Sequence, residues 1–134
     1  MIDFRFIDIK IIQLKNSNDW LKKVITTENK KLGEIVFVFC KDSYLLKKNI
    51  QFLKHDTLTD IITFDYCEGK QISGDILISI DRIKENSRIF ETEFLNELDR
   101  IMVHGLLHLL GYKDKTKKEA KLMSSKEDFY LSIK

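Results

Sequence analysis

The chain has 134 residues, the size of one ordinary domain. Apolar residues make up 43% and charged residues 33%, which excludes a disordered chain, and a net charge of +2 excludes the general basicity of a histone-like protein, so any nucleic-acid contact must come from local clusters of lysine. No apolar run has the length to cross a bilayer, and charges interrupt the opening stretch MIDFRFIDIK, which does not read as a signal peptide; the expected location is the cytoplasm, with no membrane partner.

Alternation around Phe4-Arg5-Phe6 predicts a first strand. Asn18 or Asp19 is placed to cap a helix in which Trp20, Leu21, Val24 and Ile25 share one face, with Gly33 closing it. Glu34 to Cys40 is branched, aromatic and apolar on both faces, as a central strand requires. Asp42 or Ser43 is placed to cap a short helix reaching about Phe52. Ile61–Tyr66 and Ile72–Ile80 read as two strands of a hairpin turning through Cys67-Glu68-Gly69-Lys70. Asp81 is placed to cap a helix to about Arg88. Glu93–Leu110 is the longest periodic helix, with Phe94, Leu98, Ile101, Met102 and Leu109 at helical spacing and Gly111 ending it. Thr116 is placed to cap a last helix with Ala120, Met123 and Tyr130 as a partial apolar stripe. Strands mixed with helices, then helices at the end, predict a single α+β domain over residues 1–134: a small mixed β-sheet packed by several helices. Cys40 and Cys67 form no C-x-x-C pair and read as inert thiols.

The chemistry is concentrated in His104-Gly105-Leu106-Leu107-His108-Leu109-Leu110-Gly111-Tyr112-Lys113-Asp114. His104 and His108, four apart near the end of a long helix, project from one face, where two imidazoles reach one ion. A left-handed turn at Gly111 can bring Asp114 back as an oxygen ligand. Three protein ligands leave a fourth position for water, the arrangement of a catalytic site rather than a closed structural one. The competing reading is a pair of hydrogen-bonded core histidines. The spacing matches that of the metzincin proteases, except that Gly105 stands where their general-base glutamate would be and Asp114 replaces the third histidine. Two neutral imidazoles and one carboxylate leave a divalent site with net charge near +1, so the metal-bound water is less acidic than at a three-histidine site. Zinc is the expected ion, although the donor set also suits iron(II), manganese or nickel. Two further features stand nearby. Asp60, after Thr59, is a candidate proton acceptor or else a cap at a strand start. Lys113, Lys115, Lys117 and Lys118 are candidate contacts to an RNA backbone or else the solvated start of a helix. Asp75, beside Gly74, reads as structural; His55 reads as an exposed loop residue; Tyr112 reads as packing at the turn or as a base-stacking ring, with packing preferred.

The His-Gly-x-Leu-His-Leu-x-Gly-Tyr segment resembles the signature of the YbeY endoribonucleases, and so do His55–Phe64 (HDTLTDIITF) and Gly74–Ser79 (GDILIS). Order and spacing agree from about residue 34 onward. The resemblance implies a metal-dependent endoribonuclease preferring single-stranded RNA. It implies action on the 3′ end of small-subunit rRNA and in ribosome quality control, with the ribosome as a partner. It also implies a zinc ion at the positions of His104, His108 and Asp114. Asp114 departs from the family's histidine, and Leu53 stands where the family's arginine would hold a phosphate. A small metalloprotease and a non-catalytic ribosome-associated factor with a structural metal are the alternative functions.

Overall fold

The computed structural model describes residues 1–54 and 59–134, so His55 and the start of the HDTLTDIITF stretch lie outside the described residues. β1 (Ile2–Phe6), β2 (Lys31–Cys40), β3 (Ile61–Asp65) and β4 (Gln71–Ser79) form one sheet in the order β1-β2-β4-β3. β1 and β4 run parallel to β2, and β3 closes the hairpin antiparallel to β4, so the expected small mixed sheet is the observed one. The expected α+β architecture holds. The helices are α1 (Ser17–Thr27), α2 (Asp42–Lys48, continued by a π-helical turn, Asn49–Leu53), α3 (Ile80–Ile89), α4 (Phe94–Leu109) and α5 (Lys117–Ser132). Among the described residues no helix is long and apolar enough to cross a membrane.

The main core lies on one face of the sheet. Ile35, Phe37 and Phe39 of β2 and Ile76 and Ile78 of β4 meet Leu21, Val24 and Ile25 of α1 and Leu98, Met102 and Leu106 of α4, all buried. The opposite face holds a second, smaller cluster of Cys40, Leu45, Ile62 and Leu77. β2 is therefore apolar on both sides because both sides are covered in part. Cys40 sits in that cluster and burial pushes its thiol up to about 12, while Cys67 is half-buried; both are unpaired, as inert thiols should be.

Several boundaries differ from expectation. The α1 cap position is Asn16, in the left-handed region at φ 56°, and makes no side-chain cap; neither Asn18 nor Asp19 caps the helix. Gly33 does not close α1 but lies inside β2. A Cβ there would fall 2.1 Å from Ser73 Oγ, so the glycine serves the close approach of β2 to β4 at a register shift. α2 starts after Lys41 with no side-chain cap, and Asp42 instead ion-pairs with Arg82. α3 is capped by Ser79, whose Oγ accepts from the Arg82 amide, and not by Asp81, which receives the Asp42 amide at 2.8 Å. Gly111 ends α4 as expected at φ 104°, and Thr116 starts α5 in a reciprocal capping box with Glu119. Ala120 is exposed; the inward stripe of α5 is Met123, Glu127 and Tyr130.

Candidate metal centre

α4 buries Leu98, Met102, Val103, Leu106 and Leu109, which leaves His104 and His108 one turn apart on the partly open side, their side chains 20% and 27% exposed. The left-handed Gly111 lets the Gly111 amide bond the His108 carbonyl and the Tyr112 amide bond the Leu107 carbonyl. That reversal returns Asp114 to the histidines. His104 Nε2 and His108 Nε2 lie 3.1 Å apart, and Asp114 Oδ2 lies 3.3 and 3.2 Å from them. Tetrahedral bonds of 2.0–2.1 Å would hold ligand atoms about 3.3 Å apart, so the triangle has the dimensions of three corners around one ion.

Protonation supports the same conclusion. His104 Nδ1 is 2.7 Å from Glu127 Oε2, and His108 Nδ1 is 3.0 Å from the Tyr112 carbonyl. Both partners are acceptors, so each Nδ1 donates to one and each ring turns Nε2 toward the other ring and toward the Asp114 carboxylate. Three acceptors in mutual contact call for a cation. Burial pulls the His104 imidazole down, but its hydrogen bond to Glu127 and the charges of Glu127, Asp114 and Asp60 carry it above its ordinary range. A proton and a metal ion therefore compete for this position, and metal uptake releases a proton and weakens toward acid.

Glu127 is the functional residue that sequence reasoning missed. It is buried on α5, where it receives His104 Nδ1 and, at 2.9 Å, Arg100 Nη1, which orients the imidazole and fixes its tautomer. The available signal was a carboxylate four residues after Met123 and three before Tyr130, on the buried stripe of α5. Carboxylates are almost never buried without a partner. Glu127→Gln is expected to weaken metal affinity 10- to 100-fold, measured by competition with a chromophoric chelator. Unchanged affinity would show that the carboxylate does not orient His104.

The other sequence candidates fall as follows. Asp60 and His104 line one cleft of about 250 Å³, with Arg100, Glu97 and Glu127 on its walls. The Asp60 carbonyl accepts the Ser79 amide, while its carboxylate makes no hydrogen bond among the described residues, so its side chain is not a cap. Lys113, Lys115, Lys117 and Lys118 are all exposed beside Asp114, and none has an ion pair among the described residues. Tyr112 packs, as preferred: its hydroxyl donates to Glu28 Oε1 at 2.6 Å and its ring lies under Lys126. Asp75 lies on the face of the sheet opposite α4, and Leu53 ends the π turn, exposed. Arg100 is the guanidinium of the His104 cleft, but it is held by Glu127 and Asp128. A larger crevice, about 660 Å³, shares Glu97 and Arg100 with this cleft but contains none of the three clustered ligand residues. Gly105 faces the sheet, where a Cβ would meet Ile61 and Ile76 at 2.8 Å, so a glutamate at this position has no room and the protease route lacks its base.

Residues 3–133 match the family model described as Endoribonuclease YbeY. A Flavobacterium psychrophilum protein named endoribonuclease YbeY is 50% identical over 134 residues, covering 99% of this chain and 96% of its own length. A Christiangramia forsetii protein of the same name is 47% identical over 126 residues, covering 94% and 88%. The solution structure of TM1509 from Thermotoga maritima superposes with a TM-score of 0.72 at 27% identity, over 98% of this chain and 87% of that one.

Proposed function

The chain belongs to the YbeY endoribonuclease family, and from that membership we propose that it is a metal-dependent endoribonuclease cutting single-stranded RNA at the His104–His108–Asp114 centre. The reaction is hydrolysis of an RNA phosphodiester bond. The observation that carries the reading is the triangle of three acceptor atoms 3.1–3.3 Å apart, with both histidine tautomers set by partners on the far nitrogen.

Zinc is the proposed ion, because two imidazoles and a carboxylate in a tetrahedral array suit it. When bound, such an ion polarises a phosphoryl oxygen and makes water more acidic. The chain supplies the rest. Asp60, with a carboxylate unengaged among the described residues, is the proposed acceptor of the attacking group's proton. Glu127 and the Tyr112 carbonyl hold the two imidazoles in register. Lys113, Lys115, Lys117 and Lys118 are proposed to hold the phosphates that Leu53 cannot, since Arg100 is already committed to two carboxylates. The rRNA 3′ end, the ribosome and the cytoplasm complete the proposal as substrate, partner and location. Gly105 packed on the sheet argues against the protease, and relatives named endoribonuclease argue against a factor without catalysis.

The test is cleavage of a labelled single-stranded rRNA 3′-end fragment before and after chelation, with zinc returned. Activity lost on chelation and restored by zinc is the expected result. If all four lysines hold phosphates, the RNA affinity should fall about 50-fold between 50 and 200 mM salt, from a log–log slope of about −0.7 per contact. Cleavage indifferent to chelation would overturn the metal mechanism, and a flat salt response would remove the lysines from it.

A further inference from the structure

Glu28 ends α1, and its carboxylate stands at the unfavourable end of that helix. A helix C-terminus carries partial negative charge and favours cations, yet α1 has no basic residue in its last turn and closes on an acid. The Glu28 side chain is nonetheless drawn inward, 13% exposed, where it meets three donors. The Tyr112 hydroxyl donates to Oε1 at 2.6 Å, and the Tyr130 hydroxyl and Lys126 Nζ donate to Oε2. Burial pulls the carboxyl up, but the hydrogen bonds from Tyr112, Tyr130 and Lys126 outweigh it and hold the group below its ordinary range. Glu28 therefore accepts as an ionised carboxylate, the stronger form of the bond.

Two of the three donors are on α5, and the third is on the turn that follows α4. The docking of α5 on α1 has another tie, since Trp20 Nε1 donates to the Tyr130 carbonyl at 2.7 Å. What Glu28 adds is the link to Tyr112, 84 positions away. Tyr112 is also the residue whose carbonyl receives His108 Nδ1 at 3.0 Å, and its amide bonds back to the Leu107 carbonyl. It follows Gly111, whose backbone is left-handed at φ 104° and whose freedom does not by itself fix the direction of the chain. Asp114 comes two residues later. A ring held at its hydroxyl end thus sets both the acceptor for His108 and the return of Asp114.

We propose that Glu28 is a positioning residue of the metal centre: by holding the Tyr112 hydroxyl it keeps the Tyr112 carbonyl on His108 Nδ1 and Asp114 facing the two imidazoles. The inference rests on the metal centre proposed above. It gives the two histidines matching supports. Glu127 orients His104 directly, and Glu28 orients His108 through the length of one residue, from the Tyr112 hydroxyl to its carbonyl. Helix α5 serves both, with Glu127 in the first and its neighbour Lys126, over the Tyr112 ring, in the second. Groups behind a ligand tune metal affinity because they fix the orientation of the atom that binds.

The experiment compares Tyr112→Phe and Tyr130→Phe with the parent. Each removes one hydroxyl from the same carboxylate, the first on the side of the metal centre and the second on the side of α5. Zinc affinity is measured by competition with a chromophoric chelator, and the Nδ1–H signals of both histidines are followed by NMR in the isotope-labelled, zinc-loaded proteins. Tyr112→Phe is expected to weaken zinc binding about tenfold, the low end for a group behind a ligand, and to move the His108 Nδ1–H signal while that of His104 stays. Tyr130→Phe is expected to lower the unfolding temperature by about 4 °C, as the loss of one hydrogen bond does, and to keep zinc affinity within about twofold of the parent. Glu28→Ala should weaken zinc about as much as Tyr112→Phe, and stands as the test should that variant not fold. Equal zinc affinity in the parent and Tyr112→Phe, or equal losses in the two phenylalanine variants, would overturn the proposal and leave Glu28 a staple between helices. A parent that takes up no zinc would overturn the metal centre and this role together. The expected affinity difference in a protein that cuts no RNA would uphold the role of Glu28 and overturn only the proposed reaction.

Discussion

His108→Ala is expected to lower RNA cleavage by about three orders of magnitude at neutral pH, while the variant keeps the circular-dichroism spectrum of the parent. The size follows from what leaves with the imidazole. Two ligands remain, His104 Nε2 and Asp114 Oδ2, 3.3 Å apart, and a two-coordinate position does not hold a divalent ion against water. Losing the ion removes several kcal/mol of charge stabilisation in the transition state, and each 1.4 kcal/mol is a factor of ten in rate. The fold survives because the histidine is on the partly open side of α4 and gives up one hydrogen bond, to the Tyr112 carbonyl, worth about 1 kcal/mol. His104→Ala is a poorer probe, since it also strips the buried Glu127 of a partner. Activity of His108→Ala within tenfold of the parent, measured on the same RNA and with metal content determined on both proteins, would place the chemistry elsewhere.

Gly105→Glu, the change that would restore the protease base, is expected to abolish folding instead of conferring peptide hydrolysis. A Cβ alone would sit 2.8 Å from Ile61 Cδ1 and from Ile76 Cγ2. The Ile61 atom is the tip of a side chain on the edge strand and can move. The Ile76 atom is fixed to a fully buried β-branched residue on β4 and cannot. Overpacking of this kind costs about 1–3 kcal/mol, and a carboxylate driven between helix and sheet without a partner costs several more. The sum is of the order of the whole stability of a domain, about 5–15 kcal/mol. Gly105→Ala, which lacks the charge, should lower the unfolding temperature yet keep one cooperative transition. A Gly105→Glu protein that melts with the parent and cleaves casein would reverse this account of the missing glutamate.

The parts of the molecule that follow from local periodicity were legible in the sequence. β2 stands out because six consecutive apolar residues, Ile35 to Cys40, serve two covered faces, and α4 because its buried positions recur at helical spacing up to a glycine. The grouping of His104, His108 and Asp114 was legible for the same reason, since one helix turn and one left-handed glycine set all three positions. Caps were not legible where polar residues crowd. Four residues from Asn16 to Asp19 can each start a helix, and which oxygen reaches an amide depends on backbone angles that only the packed chain settles. Ser79 displaced Asp81 because the end of β4 already places its hydroxyl at the first turn of α3. Glu127 was hidden for another reason. Its partners Arg100 and His104 lie on a different helix, and nothing in the local spacing of α5 names them.

The proposed ligands lie within the eleven residues from His104 to Asp114, with no long-range crossing among them. Closing so short a segment carries a small entropy cost, which rises only as the logarithm of loop length. An ion can therefore engage the same three side chains in a chain that has not yet formed its sheet. Binding to the unfolded chain subtracts from the stabilisation that ligand binding gives the native one. Much of the affinity thus acts on both sides of the folding equilibrium. The native state keeps the increment contributed from a distance by Glu127, which joins His104 only once α5 has docked.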